Sequence, residues 1–136
     1  MEKDSLLYEA ETSKSIHEFI ASIKQKASQF NYAVRYIHDL REEYQSKGID
    51  LDGDFEIYQI VVCSFNYKGL QKNIRRCAVL LAPKQITVFR EMGKTIVNYL
   101  PFHKSFIQQA LPGDEDFAEN QSKACQRIVQ LIEAAI

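Results

Sequence analysis

The sequence contains no tryptophan and only three cysteines, five glycines and three prolines in 136 residues. Three thiols are an odd number, and Cys63, Cys77 and Cys125 match neither a C-x-x-C redox motif nor the spacing of a zinc site. A disulfide framework is therefore not expected. We expect three reduced thiols that pack as small apolar side chains.

Signals for metal, phosphate and cofactor binding are also missing. The five glycines are isolated, so no glycine-rich loop is present to hold phosphates. The three histidines, His17, His38 and His103, form no i, i+4 pair of the kind that ligates zinc. The sequence therefore predicts neither a metal site nor a cofactor.

No apolar run approaches the roughly 20 residues that span a bilayer, and the first residues lack the basic and apolar regions of a signal peptide. We therefore expect a cytoplasmic protein that does not contact a membrane. Nucleic acid is not an expected partner either, since the sequence pI is about 6.3. The only feature that favours nucleic acid binding is a basic stretch that includes Phe65 and Tyr67 as stacking platforms.

What is present is a composition of 46% hydrophobic and 26% charged residues, which is typical of a globular chain. No repeat or linker divides the sequence, so residues 1–136 are predicted to form a single domain.

The net charge of -1 conceals an uneven distribution. Residues 61–104 hold eight basic and one acidic side chains, whereas both flanking segments are acidic. This pattern favours a basic face that concentrates an anionic ligand. The alternative is that these charges pair with the acidic flanks within the chain or between subunits.

Hydrophobic periodicity and capping residues indicate the order of the elements. In the first half we predict a strand at residues 6–11, a helix at 15–29 with a Ser15/Glu18 capping box, a strand at 30–37 and a short helix at 40–47. In the second half we predict strands at 55–63, 77–82, 85–91 and 95–100, short helices at 67–76 and 104–110, and a long final helix capped by Asp114.

Consecutive strands in the second half imply an α+β domain, with helices on one face of a largely antiparallel sheet. Because the other face then needs a cover, the pattern also favours a homodimer.

Four short motifs point to a family. They are Asp39-Leu40-Arg41-Glu42 before Gly48, the strand that ends in Cys63, Leu80-Leu81-Ala82-Pro83, and Ile86-Thr87-Val88-Phe89. Over nearly its whole length the chain resembles the bacterial and archaeal domain-of-unknown-function family 302. The resemblance implies a fold like that of the TATA-binding protein, with the order β-α-β(4)-α plus a short helix after the second strand, and a homodimer with no established activity.

The chain also departs from that family. Members often have Cys-Asn-Pro where this chain has Cys63-Ser64-Phe65, and Leu-Pro-Cys-Asn where it has Ala82-Pro83-Lys84-Gln85. Cys63 and Pro83 are retained, but Lys84 replaces the second cysteine. A mechanism that needs two thiols at these positions is therefore disfavoured.

The candidate site combines the retained thiol with the basic segment. We predict that Cys63, Asn66, Lys68, Lys84 and Arg76 surround a small, anionic ligand that is bound without catalysis. One alternative is a thiol-dependent enzyme or redox protein in which Cys63 is the catalytic nucleophile, activated by a neighbouring lysine. Another is a structural or protein-partner module.

Overall fold

The computed structural model describes residues 7–136, which form a sheet of five strands and six α-helices. The elements are β1 (Tyr8–Thr12), α1 (Ile16–Lys26), β2 (Ala33–Asp39), α2 (Leu40–Ser46), β3 (Ile57–Cys63), α3 (Tyr67–Lys72), α4 (Cys77–Leu80), β4 (Lys84–Glu91), β5 (Lys94–Tyr99), α5 (Lys104–Ala110) and α6 (Glu115–Ala135). Short 3-10 turns follow α1 at Ala27–Phe30 and precede α4 at Ile74–Arg76.

The strands form one sheet in the order β1-β5-β4-β3-β2, and every neighbouring pair is antiparallel. The predicted α+β class is confirmed. The register places one residue of each strand in a continuous row across the sheet: Tyr8, Tyr99, Ile86, Ile60 and Ile37. Since side chains alternate between the faces of a strand, this row marks the face that is buried.

Helices α1 and α6 cover that face. Ile16, Phe19, Ile20 and Ile23 recur at helical spacing on α1, and Ile128, Leu131 and Ile132 do so on α6. Together with the sheet they form the main core, in which each large side chain contributes about 1.5–3 kcal/mol by leaving water. The Ser15/Glu18 capping box predicted for α1 is present.

The other face of the sheet is more polar. Glu9, Gln85 and Tyr36 are exposed there, and Gln59 links His38 to Gln85 through side-chain hydrogen bonds of 3.1 and 3.0 Å. A second copy of the chain on this face stays a prediction, as does the likeness to the TATA-binding protein.

One predicted strand is wrong. Residues 77–82 form no strand, and their first four residues are helix α4, so the sheet has five strands rather than the six counted along the sequence. Four apolar residues are too few for their periodicity to distinguish a strand from a turn of helix. The conformation depends on where Val79 is buried: it packs against Ile107 of α5 and against Phe117 and Ala118 at the start of α6, in a cluster separate from the main core.

Smaller differences lie at element boundaries. Strand β2 begins at Ala33 rather than at residue 30, because the 3-10 turn continues α1 and Asn31 adopts a left-handed conformation with φ of 64°. Of the first predicted strand, Leu6 lies outside the described residues. None of the helices in residues 7–136 is long and apolar enough to cross a membrane.

A buried ion pair attaches the segment between β3 and β4 (residues 64–83, here called the connecting segment) to the start of α6. Arg76 donates from Nε and from a terminal nitrogen to the two carboxylate oxygens of Asp114, both at 2.7 Å, and Asn73 donates to the same carboxylate at 2.8 Å. The Arg76 guanidinium also lies 4.9 Å from the centre of the Phe117 ring. Asp114, predicted to cap the final helix, stands at the cap position but directs its carboxylate to Arg76 instead.

These contacts explain the acidity of Asp114. Hydrogen bonds from Arg76 lower its pKa from 3.8 to about 2, against a smaller opposing effect of burial. The side chains of Arg76 and Asp114 are only 6% and 12% exposed. Losing one partner would therefore leave a buried charge without compensation.

We expect Asp114→Asn to lower the free energy of unfolding by about 3 kcal/mol at neutral pH, because the Arg76 charge stays buried without its counterion. Urea denaturation measures this loss. The folded-state pKa is depressed, so the stabilisation is fully present above about pH 4 and is lost as the pH falls through about 2. The difference between the variant and the wild type should shrink over that range.

Asp116→Asn is the matched control, since Asp116 lies in the same helical turn and meets Lys72 at 3.8 Å with both side chains largely exposed. Its effect should stay within about 0.5 kcal/mol. Equal effects of the two substitutions would contradict a special role for the Arg76–Asp114 pair.

Candidate functional site

A cleft of about 690 Å³ lies between the first residues of the connecting segment and the middle of α6. Its volume falls within the range of small-molecule sites. One wall is formed by residues 64–68, which leave the end of β3, and the other by α6 residues from Asn120 to Arg127. Asn31, at the left-handed turn before β2, closes one side. We call this feature the cationic cleft.

Three basic side chains border the cationic cleft. Lys68 projects from the connecting segment, and Lys123 and Arg127 lie one turn apart on α6. In the part of the chain that the structure describes, no carboxylate forms an ion pair with any of the three. Their charges therefore remain available to an anion in the cleft.

Arg127 is partly fixed in place. Its guanidinium lies 5.7 Å from the centre of the Tyr32 ring, a cation–π contact that limits the motion of a long side chain. Tyr32 is itself held by a 3.0 Å hydrogen bond from its hydroxyl to the Ala124 carbonyl. Within residues 7–136 the Arg127 Nε is buried and has no hydrogen-bond partner.

Gln121 is the most buried polar residue of the cleft wall. It is 4% exposed, and its Oε1 accepts no hydrogen bond from the described residues. An acceptor left unpaired in the interior costs about 1–3 kcal/mol. A donor supplied by a bound molecule would relieve that cost.

Two aromatic rings stand at the mouth of the cleft. Phe65 and Tyr67 are 64% and 62% exposed. Phe65 has φ of 54°, a left-handed conformation that is costly for a bulky residue. The turn is held by the Phe65 N–H, which donates to Cys63 Sγ at 3.3 Å, and by the Tyr67 N–H, which donates to the Phe65 carbonyl at 2.8 Å.

The structure brings together three of the five residues predicted for the site. Asn66 and Lys68 line the cleft, and Cys63 lies half-buried at the end of β3, next to the lining residue Ser64. Asn66 Oδ1 also accepts a 3.0 Å hydrogen bond from the Gly69 N–H, which caps α3. A side chain at Gly69 would place its Cβ 2.8 Å from the Asn66 amide nitrogen, so a larger residue there would displace the Asn66 side chain.

The other two residues, Arg76 and Lys84, do not line the cleft. Arg76 forms the buried ion pair with Asp114. Lys84 is 8% exposed, and its Nζ donates to the Val79 carbonyl at 3.3 Å. Burial lowers the pKa of Lys84, while the neighbouring Cys125 and Cys63 thiols act in the opposite direction. Lys84 is thus an interior side chain.

Sequence reasoning missed the contribution of α6. The count of charges by segment assigned residues 105–136 to an acidic flank, although Lys123 and Arg127 are i, i+4 neighbours on one helical face. That spacing was a signal of a local basic surface. Nothing in the sequence showed that this surface meets Lys68.

The histidines of the described chain are engaged away from Cys63. His17 meets the Tyr58 ring, His38 bonds to Gln59 and Glu43, and His103 caps α5. Residues 7–136 contain no group of three or more histidine, cysteine or acidic side chains placed to hold a metal ion.

Comparisons with known proteins agree on one family. The family model described as domain of unknown function DUF302 matches residues 8–135. The crystal structure of an uncharacterised conserved DUF302 protein from Bacillus stearothermophilus superposes with a TM-score of 0.77 over 96% of this chain and 98% of that one, at 18% identity. At that identity the likeness establishes the fold alone. No curated protein matches the chain.

The position of Lys84 yields a stability prediction. We expect Lys84→Met to raise the free energy of unfolding by about 1 kcal/mol at neutral pH, because an apolar side chain avoids the cost of burying an ammonium group. Since the folded-state pKa of Lys84 is lowered, the wild type binds fewer protons than its unfolded chain as the pH approaches 10. The advantage of the variant should therefore shrink at high pH.

Chemical denaturation at pH 7 and pH 10 measures both effects. Lys94→Met, at an exposed position on β5, is the control and should change stability by less than about 0.5 kcal/mol. A loss of stability in Lys84→Met at neutral pH would show that the ammonium group makes a net favourable contribution.

Proposed function

The chain belongs to the DUF302 family, which is defined without an activity, and we propose that it binds a small anionic molecule in the cationic cleft without catalysing a reaction. The observation that supports this most is the convergence of Lys68, Lys123 and Arg127 on one cleft, with no carboxylate of the described residues within ion-pair distance of any of them. An anion placed among three such charges would gain from all of them at short range.

The chemistry of the cleft favours binding over catalysis. Lysine, arginine and amide side chains dominate its walls, and no carboxylate or histidine is among its lining residues. General acid–base chemistry needs a group that titrates near neutral pH, and histidine and carboxylate side chains are the usual ones. The lining instead supplies fixed positive charge and hydrogen-bond donors.

The proposal keeps two expectations drawn from the sequence, a cytoplasmic location and a homodimer. Neither is needed for the cleft itself, since all of its lining residues come from one copy of the chain.

We expect inorganic pyrophosphate to raise the melting temperature of the wild type and to bind measurably in isothermal titration calorimetry. In Lys68→Ala/Lys123→Ala its affinity should fall at least tenfold, because two of the three charges facing the ligand are removed. Both lysines are exposed, so the melting temperature of the ligand-free protein should change little.

The matched control is Lys24→Ala/Lys47→Ala, which removes two exposed lysines outside the cleft and changes the net charge equally. Its affinity should equal that of the wild type. An equal loss in both double variants would mean that only overall charge matters, and no binding by the wild type would remove the basis of the proposal.

A second candidate is a thiol-dependent activity of Cys63. Its specific support is that Cys63 Sγ lies beside the cleft and accepts a hydrogen bond from the Phe65 N–H at 3.3 Å. This candidate predicts that iodoacetamide labels Cys63 much faster than Cys77, the other half-buried thiol, at pH 7.

Peptide mapping by mass spectrometry gives the two labelling rates. Similar rates, both no faster than that of a free thiol, would exclude the thiol candidate and leave the binding proposal untouched. If both thiol reactivity and anion binding are missing, the remaining alternative is a module that binds a protein partner.

A further inference from the structure

We infer that the anion carries a planar aromatic ring, as a nucleoside monophosphate does, and that Phe65 and Tyr67 stack on this ring while Lys68, Lys123 and Arg127 bind the anionic group. This inference rests on the proposed function, since it assigns the chemical class of the ligand held in the same cleft.

The rings of Phe65 and Tyr67 are not paired with other rings of the described chain. The described chain forms four aromatic ring pairs: His17 with Tyr58, Tyr36 with His38, Tyr44 with Phe55, and Phe102 with Phe106. Phe65 and Tyr67 belong to none of these pairs. Both are more than 60% exposed, and they lie two residues apart in the sequence. Their faces are available to a third ring, and stacking is the geometry that such faces favour.

The backbone conformation of Phe65 also supports an aromatic ligand. A left-handed φ of 54° would be relieved by glycine or asparagine, which tolerate this conformation far better than phenylalanine does. The chain instead places an exposed aromatic ring at this position, on the border of the cleft. Strained residues concentrate at ligand sites, where the geometry is part of the function.

An unpaired hydrogen-bond acceptor in the cleft wall also supports this class of ligand. Gln121 Oε1, buried in the same wall, requires a donor. A fully ionised inorganic anion offers only acceptors, whereas the hydroxyl groups of a sugar or the N–H groups of a heterocycle are donors. Asn31 and Asn120 add further amides around the cleft, and amide groups pair with base edges through both donor and acceptor atoms.

A small molecule fits the charge distribution better than a nucleic acid strand does. A strand needs a basic track along its backbone. Here most of the neighbouring cations do not extend the cleft into such a track: Arg76 binds Asp114, Lys72 lies 3.8 Å from Asp116, and Lys84 is in the interior. Arg75 is exposed but lines a separate pocket with Arg76 and Asp114.

The test compares four kinds of probe by isothermal titration calorimetry at constant salt. These are the nucleoside monophosphates AMP, GMP, CMP and UMP, then ribose 5-phosphate, then adenosine, and finally an eight-nucleotide uridine strand. We expect the tightest nucleotide to bind the wild type about tenfold or more tighter than ribose 5-phosphate, which is the effect of one stacked base, and adenosine to bind weakly.

Two variants remove the rings. Phe65→Asn keeps a residue that tolerates the left-handed turn, so its melting temperature should match or exceed that of the wild type. Both Phe65→Asn and Tyr67→Ala should weaken nucleotide binding by about tenfold and leave ribose 5-phosphate binding unchanged. Tyr36→Ala removes an exposed ring on the open sheet face and is the control, with no change for any probe.

The outcomes separate the two proposals. Equal affinities of the wild type for nucleotides and ribose 5-phosphate would overturn the aromatic class and leave anion binding standing. Failure of every phosphate-containing probe, pyrophosphate included, would overturn both. An oligonucleotide that binds more than tenfold tighter than any mononucleotide would replace the small ligand with a single-stranded nucleic acid.

Discussion

The bidentate pair between Arg76 and Asp114 connects the two parts of the chain from which the cationic cleft is built. One wall of the cleft begins the connecting segment, and the other is the middle of α6. These walls belong to parts of the sequence about 50 residues apart, and Arg76 attaches the first to the N-terminal end of the second. The ring of Phe117 and the amide of Asn73 complete the contact. Because both charges are largely buried, neither side chain can leave the pair without a substantial loss of stability.

Helix α6 has two roles that follow from its periodicity. Ile128, Leu131 and Ile132 face the sheet and place the helix against the main core. Lys123 and Arg127 are offset from that stripe and reach the border of the cleft, while Gln121 lies between the two environments. The packing that determines the fold therefore also determines where the charges of the site stand. In the same way, Gly69 and the Asn66 cap at the start of α3 determine the position of Lys68.

Local signals in the sequence were sufficient for much of this architecture. The Ser15/Glu18 capping box, the apolar run that forms β3 and the stripe of apolar residues on α6 are each encoded within about 20 residues, and each is present in the structure. The stretch from Cys77 to Leu80 was misassigned because its conformation depends on Ile107 and Phe117, which are distant in sequence. A short apolar run acquires its secondary structure from what it packs against.

The candidate site was predictable only in part, for the same reason. Asn66, Lys68 and Cys63 are neighbours along the chain, so a local pattern placed them together. The exclusion of Lys84 and Arg76 from the lining of the cleft, and the presence of Lys123 and Arg127 in it, depend on long-range packing and on which cations have a carboxylate partner. Arg76 pairs with Asp114, whereas Lys84 is buried and donates to the Val79 carbonyl in the segment that precedes it.

The most direct measurement of the central claim is a titration of isotopically labelled protein with pyrophosphate, followed by two-dimensional ¹H–¹⁵N NMR spectroscopy. Binding in the cationic cleft predicts saturable shift changes concentrated in the amide signals of Asn31, residues 64–68 and residues 120–127. Changes centred on the open sheet face, or small linear changes spread over the exposed lysines, would contradict the cleft as the binding site.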